Sequence, residues 1–197
     1  IIINNEKVLA LEHESSIPTF VGNGEAQFMN FVNGIRKDDF KAIILKPLDL
    51  FQGIGVEKIN LDSDEDLKKI FRSKVTDYNG AIVAQPFINE VFNGEVRSVY
   101  FDGKEIGSII KVPPQGSYLA NIAQGASFEK CSLNTLQERS CTEIANVLLK
   151  ENVRWVAFDI LGESISEVNI TCPGLLPEVS TACKENMSFK ILELLSN

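Results

Sequence analysis

The chain has 197 residues, 44% of them hydrophobic, and a net charge of −8. This length suits one domain or two small ones, and the acidic balance argues against a nucleic-acid-binding protein, which normally has a basic face. No apolar run approaches the roughly 20 residues of a membrane span. No signal peptide is recognisable. The single histidine argues against a Ser-His-Asp triad or a histidine-based zinc site. The four cysteines lack CxxC spacing, which indicates reduced thiols in a cytoplasmic protein.

The first half of the chain contains two segments with helical periodicity and two short apolar runs typical of strands. The predicted helices span residues 25–36 and 62–74, and the predicted strands span residues 41–47 and 81–88. In the first helix, Phe28, Val32 and Ile35 lie along one stripe. Acidic residues and a serine open the second helix, where they suit the first turn. Pro47 and Pro86 mark the ends of the strands.

The second half begins with a predicted hairpin, because residues 95–112 alternate around the turn dipeptide Asp102-Gly103. Residues 113–127 form a loop rich in Pro, Gly and Ser, long enough to predict a mobile functional segment. Two more helices are predicted over residues 134–152 and 177–196. The first of them places four residues near one face: Leu136, Cys141, Ile144 and Leu148. Strands and helices mix without strict βαβ alternation, which favours an α+β fold with largely antiparallel pairing.

Residues 158–170 read as a hairpin with polar side chains in an apolar setting. A connection over residues 162–164 predicts two facing pairs: Leu161 with Ile165, and Asp159 with Glu167. Residues two apart on a strand share a face, so Glu167 and Asn169 point the same way. Three oxygen-bearing side chains then converge, as Mg²⁺ requires. The alternative is a solvent-facing strand, and a one-residue change of register would separate the trio.

A second candidate site follows the strand that ends near Pro47. Lys46 lies at the end of this strand, and Gly53 and Gly55 lie in the loop after it. Glycines let backbone amides approach a phosphate, and a lysine ammonium supplies a point charge. Neither GxxxxGK[ST] nor GxGxxG is present, so the alternative for the two glycines is an ordinary hairpin turn.

Together these segments resemble the ATP-grasp ligases, most closely the prokaryotic glutathione synthetases. The matching segments, in chain order, are a strand with a glycine-rich loop (residues 44–56), an adenine-binding linker with the next strand (84–103), a lid (111–125) and a metal-binding hairpin (155–173). The resemblance implies an α+β ATP-grasp fold with two α+β subdomains that clasp a nucleotide between antiparallel sheets. It divides the chain into a small subdomain, residues 1–88, and a C-terminal subdomain, residues 89–197.

The resemblance also implies a set of site residues. Those that bind ATP are expected to be Lys7, Lys46, Gly53 and Gly55 at the phosphates, Gln85, Pro86, Phe87 and Ile88 at the adenine, and Glu95 at the ribose. Those near the reaction centre are expected to be Arg97, Lys111 and the lid residue Asn121. Those that hold Mg²⁺, or Mn²⁺, are expected to be Asp159, Glu167 and Asn169.

The chain departs from the family pattern at several positions where arginine is usual. These are Leu119, in the triplet Leu119-Ala120-Asn121 that replaces Arg-Gly-Asn, together with Ser127, Pro177 and Lys111. Lysine keeps the charge but loses the bidentate fork of arginine. The family's N-terminal domain is also absent, so we expect either that the chain is a fragment of a longer protein or that the protein has lost this domain.

The expected reaction is ATP-dependent ligation of γ-glutamylcysteine and glycine through an acyl phosphate. Two alternatives stay open: a related ligase that joins a different acid and amine, and an ATP-binding module without ligase activity. The expected partners are small-molecule acids and amines, without nucleic acid or membrane. A homo-oligomer would form through parts outside this chain.

Overall fold

The computed structural model describes residues 13–50 and 53–196. The predicted phosphate ligand Lys7 lies outside these residues. The chain divides into two compact units. The smaller unit is Ile17–Ile88, and the larger unit contains residues 13–16 and 89–196. Among the described residues, no helix has the length and apolar character needed to cross a membrane.

The smaller unit is a four-stranded antiparallel sheet with two helices. Its elements are β1 (Phe20–Gly22), α1 (Glu25–Lys37), β2 (Ala42–Pro47), β3 (Glu57–Asn60), α2 (Asp64–Asp77) and β4 (Ile82–Pro86). The strand order is β1-β4-β2-β3. These elements confirm the four segments predicted for this half, with boundaries that differ by one to three residues at most ends.

Helix packing in the smaller unit follows the apolar stripe of α1. Phe28, Val32 and Ile35 are all buried there, as the periodicity predicts. The ring of Phe28 stacks on Phe71 of α2, with 4.3 Å between ring centroids. Ser63 begins α2, because its hydroxyl accepts a hydrogen bond from the backbone N–H of Asp66.

The larger unit is a five-stranded antiparallel sheet covered by helices on both faces. Its elements are β5 (Glu95–Phe101), β6 (Lys104–Val112), β7 (Ser127–Lys130), α3 (Thr135–Lys150), β8 (Trp155–Leu161), β9 (Ser164–Asn169), α4 (Leu176–Cys183) and α5 (Met187–Ser196). The strand order is β7-β6-β5-β8-β9. Helix α3 packs on one face through Cys141, Ile144 and Leu148, and α4 and α5 pack on the other through Val179 and Met187.

The first hairpin of this unit turns at Asp102 and Gly103, as predicted. Their φ angles are 50° and 74°. A two-residue turn with both φ angles positive matches the right-handed twist of the strands that it joins. The pairing of β5 with β6 is irregular once, between Val99 and Tyr100, where β6 contains one extra residue, Ile106.

The second hairpin confirms the pairing of Asp159 with Glu167 but corrects the rest of the predicted register. Leu161 faces Ser164, and the prediction that it faces Ile165 is wrong. Gly162 has a φ of 60°, so a two-residue turn closes the hairpin where a three-residue connection was expected. A β-bulge accommodates the extra residue, Ser166, whose hydroxyl donates to the carbonyl of Asp159 at 3.1 Å.

Two other predictions change in detail. The C-terminal helix is two helices, because Lys184 has a φ of 55° and ends α4 before α5 begins at Met187. A left-handed residue at this position is a common helix end. The predicted loop of residues 113–127 contains a short 3₁₀ turn, Ile122–Gln124, and its last residue begins β7.

Helix α3 differs from its predicted buried face at the first turn. Leu136 is 40% exposed, whereas Gln137 is 8% exposed. The reason is a capping box: Asn134 accepts from the N–H of Gln137, and the Gln137 side chain accepts from the N–H of Asn134. The Gln137 amide also donates to the carbonyl of Gly162 at 2.7 Å.

We therefore predict that substitution of Gln137 lowers the free energy of unfolding more than substitution of its exposed neighbour Leu136. Gln137→Ala removes two hydrogen bonds and should lower the free energy of unfolding by about 1–2 kcal/mol. Leu136→Ala, the matched control, should change it by less than about 0.5 kcal/mol because the side chain is exposed. Urea unfolding followed by circular dichroism measures both. A larger loss for Leu136→Ala would show that the apolar stripe, and not the cap, orients the helix.

Candidate functional site

Four charged side chains meet on one face of the larger sheet, and we call them the charge cluster: Glu95, Arg97, Lys111 and Asp159. The strand register brings them together. Glu95 faces Lys111 across β5 and β6, and Arg97 faces Asp159 across β5 and β8. Lys111 and Asp159 lie on the two strands that flank β5, so the lysine side chain spans that strand.

The charge cluster continues an apolar layer. Val99, Ile109 and Ala157 each lie two residues from a member of the charge cluster on the same strand, and all three pack in the layer beneath α4 and α5. Since side chains two apart share a face, the sheet points the charged groups toward the same side as this layer. The charged groups are buried as a result: Lys111 is 4% exposed and Asp159 is 7% exposed.

The Asp159 carboxylate accepts four hydrogen bonds from nitrogen donors. Arg97 donates from Nε to Oδ1 at 3.0 Å and from Nη2 to Oδ2 at 2.8 Å, which is a bidentate pair. Lys111 Nζ donates to Oδ1 at 2.8 Å, and Asn169 Nδ2 donates to Oδ2 at 3.1 Å. A carboxylate has about four acceptor sites. Those of Asp159 are therefore all used.

These partners decide the charge state of Asp159. Burial alone would raise its pKa, but the positive charges of Arg97 and Lys111 outweigh burial and hold the pKa well below its usual range. Burial likewise acts to lower the pKa of Lys111, and Asp159 and Glu95 outweigh it, so the pKa is raised. The pair is thus ionised on both sides across the physiological pH range.

Lys111 and Arg97 each make a further contact besides the one with Asp159. Lys111 Nζ lies 2.5 Å from Oε1 of Glu95. Arg97 donates from Nη1 to the carbonyl oxygen of Pro173 at 3.3 Å, in the segment just before α4. Both cations therefore have partners other than Asp159, which holds their positions when one contact is lost.

The predicted metal ligands Asp159, Glu167 and Asn169 lie together on β8 and β9. Glu167 faces Asp159 and is half-buried, and Asn169 faces Ala157 and is buried. Within residues 13–50 and 53–196, no group of three or more His, Cys, Asp or Glu side chains could hold a metal ion. The trio of two carboxylates and one amide nevertheless offers the hard oxygen donors that Mg²⁺ prefers. It fits such an ion if one nitrogen donor leaves Asp159.

The predicted phosphate-binding segment lies in the smaller unit. Lys46 is half-buried on β2, opposite Val83 of β4. Gly53 and Gly55 form the turn before β3, with φ angles of 77° and 72°. A β-carbon added at Gly55 would lie 2.8 Å from the ring of Pro47. Both glycines therefore form this turn, which is the role that the alternative interpretation, an ordinary hairpin turn, assigns to them. Their contact with phosphate stays a prediction.

Sequence reasoning missed Lys74, which supports the same turn. It is 7% exposed, its Nζ donates to the carbonyl of Gly55 at 3.1 Å, and it pairs with Glu57 at 2.9 Å. A signal was present, because Lys74 falls on the helical stripe of Leu67 and Phe71. A charged residue on an apolar stripe indicates a buried ion pair.

The predicted adenine linker begins inside β4. Gln85 is 7% exposed, and its amide donates to the hydroxyl of Thr19 at 2.9 Å. The backbone N–H of Phe87 donates to the carbonyl of Ala42, and the ammonium of Lys58 lies 3.6 Å above the Phe87 ring. Pro86 ends the strand, and Ile88 is half-buried. Sequence reasoning did not anticipate the contact of Lys58.

The predicted lid residue Asn121 has a local structural role. Its side chain accepts from the backbone N–H of Ala123 at 2.9 Å and so begins the 3₁₀ turn at Ile122–Gln124. Gly125, with a φ of 94°, ends that turn. The reaction-centre role of Asn121 stays a prediction.

Comparison with known proteins identifies the family. The model described as "Prokaryotic glutathione synthetase, ATP-grasp domain" matches residues 6–184. This chain belongs to that family. Glutathione synthetase from Prochlorococcus marinus subsp. pastoris is 31% identical over 97% of this chain and 61% of its own length. The enzyme of the same name from Parasynechococcus marenigrum is 28% identical, with the same coverage. The chain thus spans about three-fifths of these relatives.

Solved structures agree on the fold. A D-cycloserine synthetase, DcsG, covers 96% of this chain and 70% of its own length, with a TM-score of 0.70 and 14% identity. A D-alanine–D-alanine ligase from Bacillus anthracis complexed with ATP covers 95% and 62%, with a TM-score of 0.63 and 17% identity. The predicted α+β ATP-grasp fold and the resemblance to prokaryotic glutathione synthetases are confirmed.

We predict that Asp159 stabilises this ATP-grasp domain at neutral pH. Asp159→Asn leaves two buried cations short of a carboxylate and should cost about 3–5 kcal/mol in the free energy of unfolding. Because the folded-state pKa is lowered, the stabilisation is fully present above the unfolded value near 3.8 and is lost as the pH falls below it. Urea unfolding between about pH 2 and pH 7 should show a constant difference between the two proteins above about pH 5 and a difference that narrows as the pH falls below 3.8.

The matched control for this substitution is Asp102→Asn, at the other end of the same sheet. Asp102 pairs with the exposed side chain of Arg154, and an exposed ion pair contributes little. Asparagine also tolerates the positive φ of this turn. Equal losses for the two variants would contradict the role of burial at Asp159.

The glycine-rich turn gives a second prediction. Gly55→Ala adds a β-carbon against Pro47 and should destabilise by about 1–3 kcal/mol more than the cost of positive φ alone. Gly116→Ala is the control, because its φ is 83° and a β-carbon there would meet nothing within 4 Å. It should cost about 1–2 kcal/mol. Thermal unfolding of both variants tests this, and equal losses would sink the steric argument.

Proposed function

We propose that this chain is the ATP-grasp part of an ATP-dependent carboxylate–amine ligase of the glutathione synthetase type. In this reaction the carboxylate of γ-glutamylcysteine attacks the γ-phosphate of ATP, which releases ADP and forms an acyl phosphate, and the amine of glycine then displaces phosphate to form the amide. The observation that carries the proposal is the charge cluster, in which two buried cations converge on one carboxylate beside Glu167 and Asn169. Family membership supports it.

The charge cluster suits phosphoryl transfer because its cations are fixed before substrate binds. Arg97 and Lys111 are held by Asp159, Glu95 and the carbonyl of Pro173. Preorganised positive charge away from water stabilises the negative charge that develops on a transferring phosphoryl group. Each cation can turn toward a phosphate and keep one of its present partners.

The metal ligands in this proposal are Asp159, Glu167 and Asn169, whose oxygens would hold Mg²⁺ or Mn²⁺. A bound ion would neutralise phosphate charge and orient the phosphoryl group. The chain itself supplies the orientation of these ligands. The bulge at Ser166 sets the alignment of Glu167 with Asp159, and the amide of Asn169 bonds both Asp159 and the carbonyl of Ala157.

Nucleotide-binding residues are proposed for each unit by itself. In the smaller unit, Lys46, Gly53 and Gly55 would bind phosphates. The segment from Gln85 to Ile88 would bind adenine. Because the Gln85 side chain already donates to Thr19, recognition there would fall to backbone groups and to the Phe87 ring with its lysine.

In the larger unit, Glu95 would accept the ribose hydroxyls, and the loop of residues 113–127, with Asn121, would exclude water from the acyl phosphate. Lys7 remains a predicted phosphate ligand outside the described residues. We also propose small-molecule partners, a cytoplasmic location consistent with four free thiols, and a homo-oligomer.

A second candidate is a ligase of the same chemistry with another acid and amine. Leu119, Ser127 and Pro177 supply no guanidinium where the family pattern leads one to expect arginine. An acid with fewer carboxylates than γ-glutamylcysteine needs fewer cations, so these residues favour this candidate over a change in the ATP chemistry. An ATP-binding module without turnover is the third candidate, and the retained trio argues against it.

The test is phosphate release from ATP and Mg²⁺ by the full-length gene product, with γ-glutamylcysteine and glycine, each alone and both together, and then with a panel of other acids and amines. We expect release only with both. Release only with another acid and amine would establish the second candidate, and ATP binding without release for any pair would sink the ligase proposal.

A matched pair of substitutions in the second hairpin links that activity to the site. Glu167→Gln should lower turnover at least about 100-fold, because it removes one ligand charge next to the transferring phosphoryl group. Glu163→Gln lies in the exposed turn of the same hairpin and should leave turnover unchanged. Equal effects of the two variants would contradict the assignment of Glu167.

A further inference from the structure

Lys111 is an unusual residue because its ammonium group is buried between two carboxylates. Only 4% of the residue is exposed, and its Nζ lies 2.5 Å from Glu95 and 2.8 Å from Asp159. Lysine is almost never fully buried without a partner. Here it has two, and one of them is a proposed metal ligand.

A cation that binds Asp159 must first displace a nitrogen donor, because all four acceptor sites of the carboxylate are used. Arg97 would lose two parallel hydrogen bonds if it left. Asn169 would have to turn its amide, which also bonds Ala157. Lys111 gives up one contact and keeps its pair with Glu95. It is therefore the donor that yields most readily.

The net charge of the side chains around Asp159 also bears on the role of Lys111. Arg97 and Lys111 face the carboxyl groups of Glu95, Asp159 and Glu167, and burial raises the pKa of Glu95, so the group carries at most one net negative charge. A divalent cation alone would make a buried group of net positive charge. The negative charges of nucleotide phosphates would offset this excess of positive charge.

We propose that Lys111 is an internal counter-ion of Asp159 that competes with the divalent cation and moves wholly to Glu95 when that cation binds. This inference rests on the metal site of the proposed function. Lys111 is then a positioning residue for the metal, and it makes the site weak for a bare cation and strong for a cation that arrives with nucleotide. By linkage, the cation and the nucleotide strengthen each other's binding equally.

The test measures Mn²⁺ binding directly, from the electron paramagnetic resonance signal of free Mn²⁺, without any turnover. Lys111→Met should tighten Mn²⁺ binding by about tenfold or more, since it removes a competing positive charge from a buried site. Glu95→Gln should weaken it, because Lys111 is then left with Asp159 alone. The double variant removes both charges and should again bind more tightly than the wild type, and it guards against misfolding of the single lysine variant.

Three controls separate competition from a general effect. Lys104→Met removes the same charge from the exposed end of the same strand and should change nothing. Lys111→Arg keeps the charge and should bind Mn²⁺ as weakly as the wild type. Glu167→Gln, added to Lys111→Met, should abolish the gain. Addition of ADP should tighten Mn²⁺ binding more in the wild type than in Lys111→Met.

The outcomes distinguish this inference from the proposed function. Equal Mn²⁺ affinity in the wild type, Lys111→Met and the double variant overturns the inference and leaves the ligase proposal standing. A loss of Mn²⁺ affinity in both Lys111→Met and the double variant overturns the inference as well, because the loss of a merely structural lysine would have that effect. Absence of Mn²⁺ binding in every variant, with ADP present, overturns the metal site and the proposed function together. A gain in Lys111→Met and in the double variant, with a loss in Glu95→Gln and no change in Lys111→Arg, establishes the competition.

Discussion

The bidentate pair between Arg97 and Asp159 is the contact on which the larger unit's site depends. It joins neighbouring strands in the interior of the sheet, where a carboxylate without a partner would be costly. Once this pair is fixed, Lys111 can reach Asp159 only from the strand on the other side of β5, and Glu95 follows as its second partner. Strand order thus determines which charged side chains come into contact. Because these side chains are buried, the loss of one contact leaves a charged group short of a partner away from water.

The second hairpin illustrates how backbone geometry preserves this arrangement. A two-residue turn at Gly162 would by itself place Ser166 opposite Asp159 and turn Glu167 to the other face. The bulge takes up Ser166, and Glu167 returns to the side of the charge cluster. Ile165 and Val168 remain buried on the α3 side at the same time. One irregularity therefore satisfies both the apolar core and the charge cluster, which explains why the bulge lies next to Asp159 and Glu167.

Local patterns made much of the architecture predictable, and contacts between distant segments did not. The stripe of Phe28 and Val32 and the Asp102-Gly103 turn depend on neighbours in sequence, so periodicity and turn chemistry predicted them. The contact of Lys111 with Asp159 joins residues 48 positions apart across an intervening strand, and no pattern along the chain encodes it. The resemblance supplied the candidates for this site but not the contacts of their side chains, such as the capping role of Asn121.

The energetics of the charge cluster favour function over stability as its reason for existing. Buried ion pairs can often be replaced by apolar side chains of similar volume with no loss of stability, or with a gain. The sheet already supplies an apolar layer two residues away on three strands, so an apolar continuation would fit the same backbone. The chain instead keeps two cations and two carboxylates there, each of which is costly if its partner is lost. The ligase proposal gives such a group a reason to be kept, because a ligand would exchange with one of its members, and Lys111, which gives up a single hydrogen bond and keeps Glu95, is the donor that we expect to exchange.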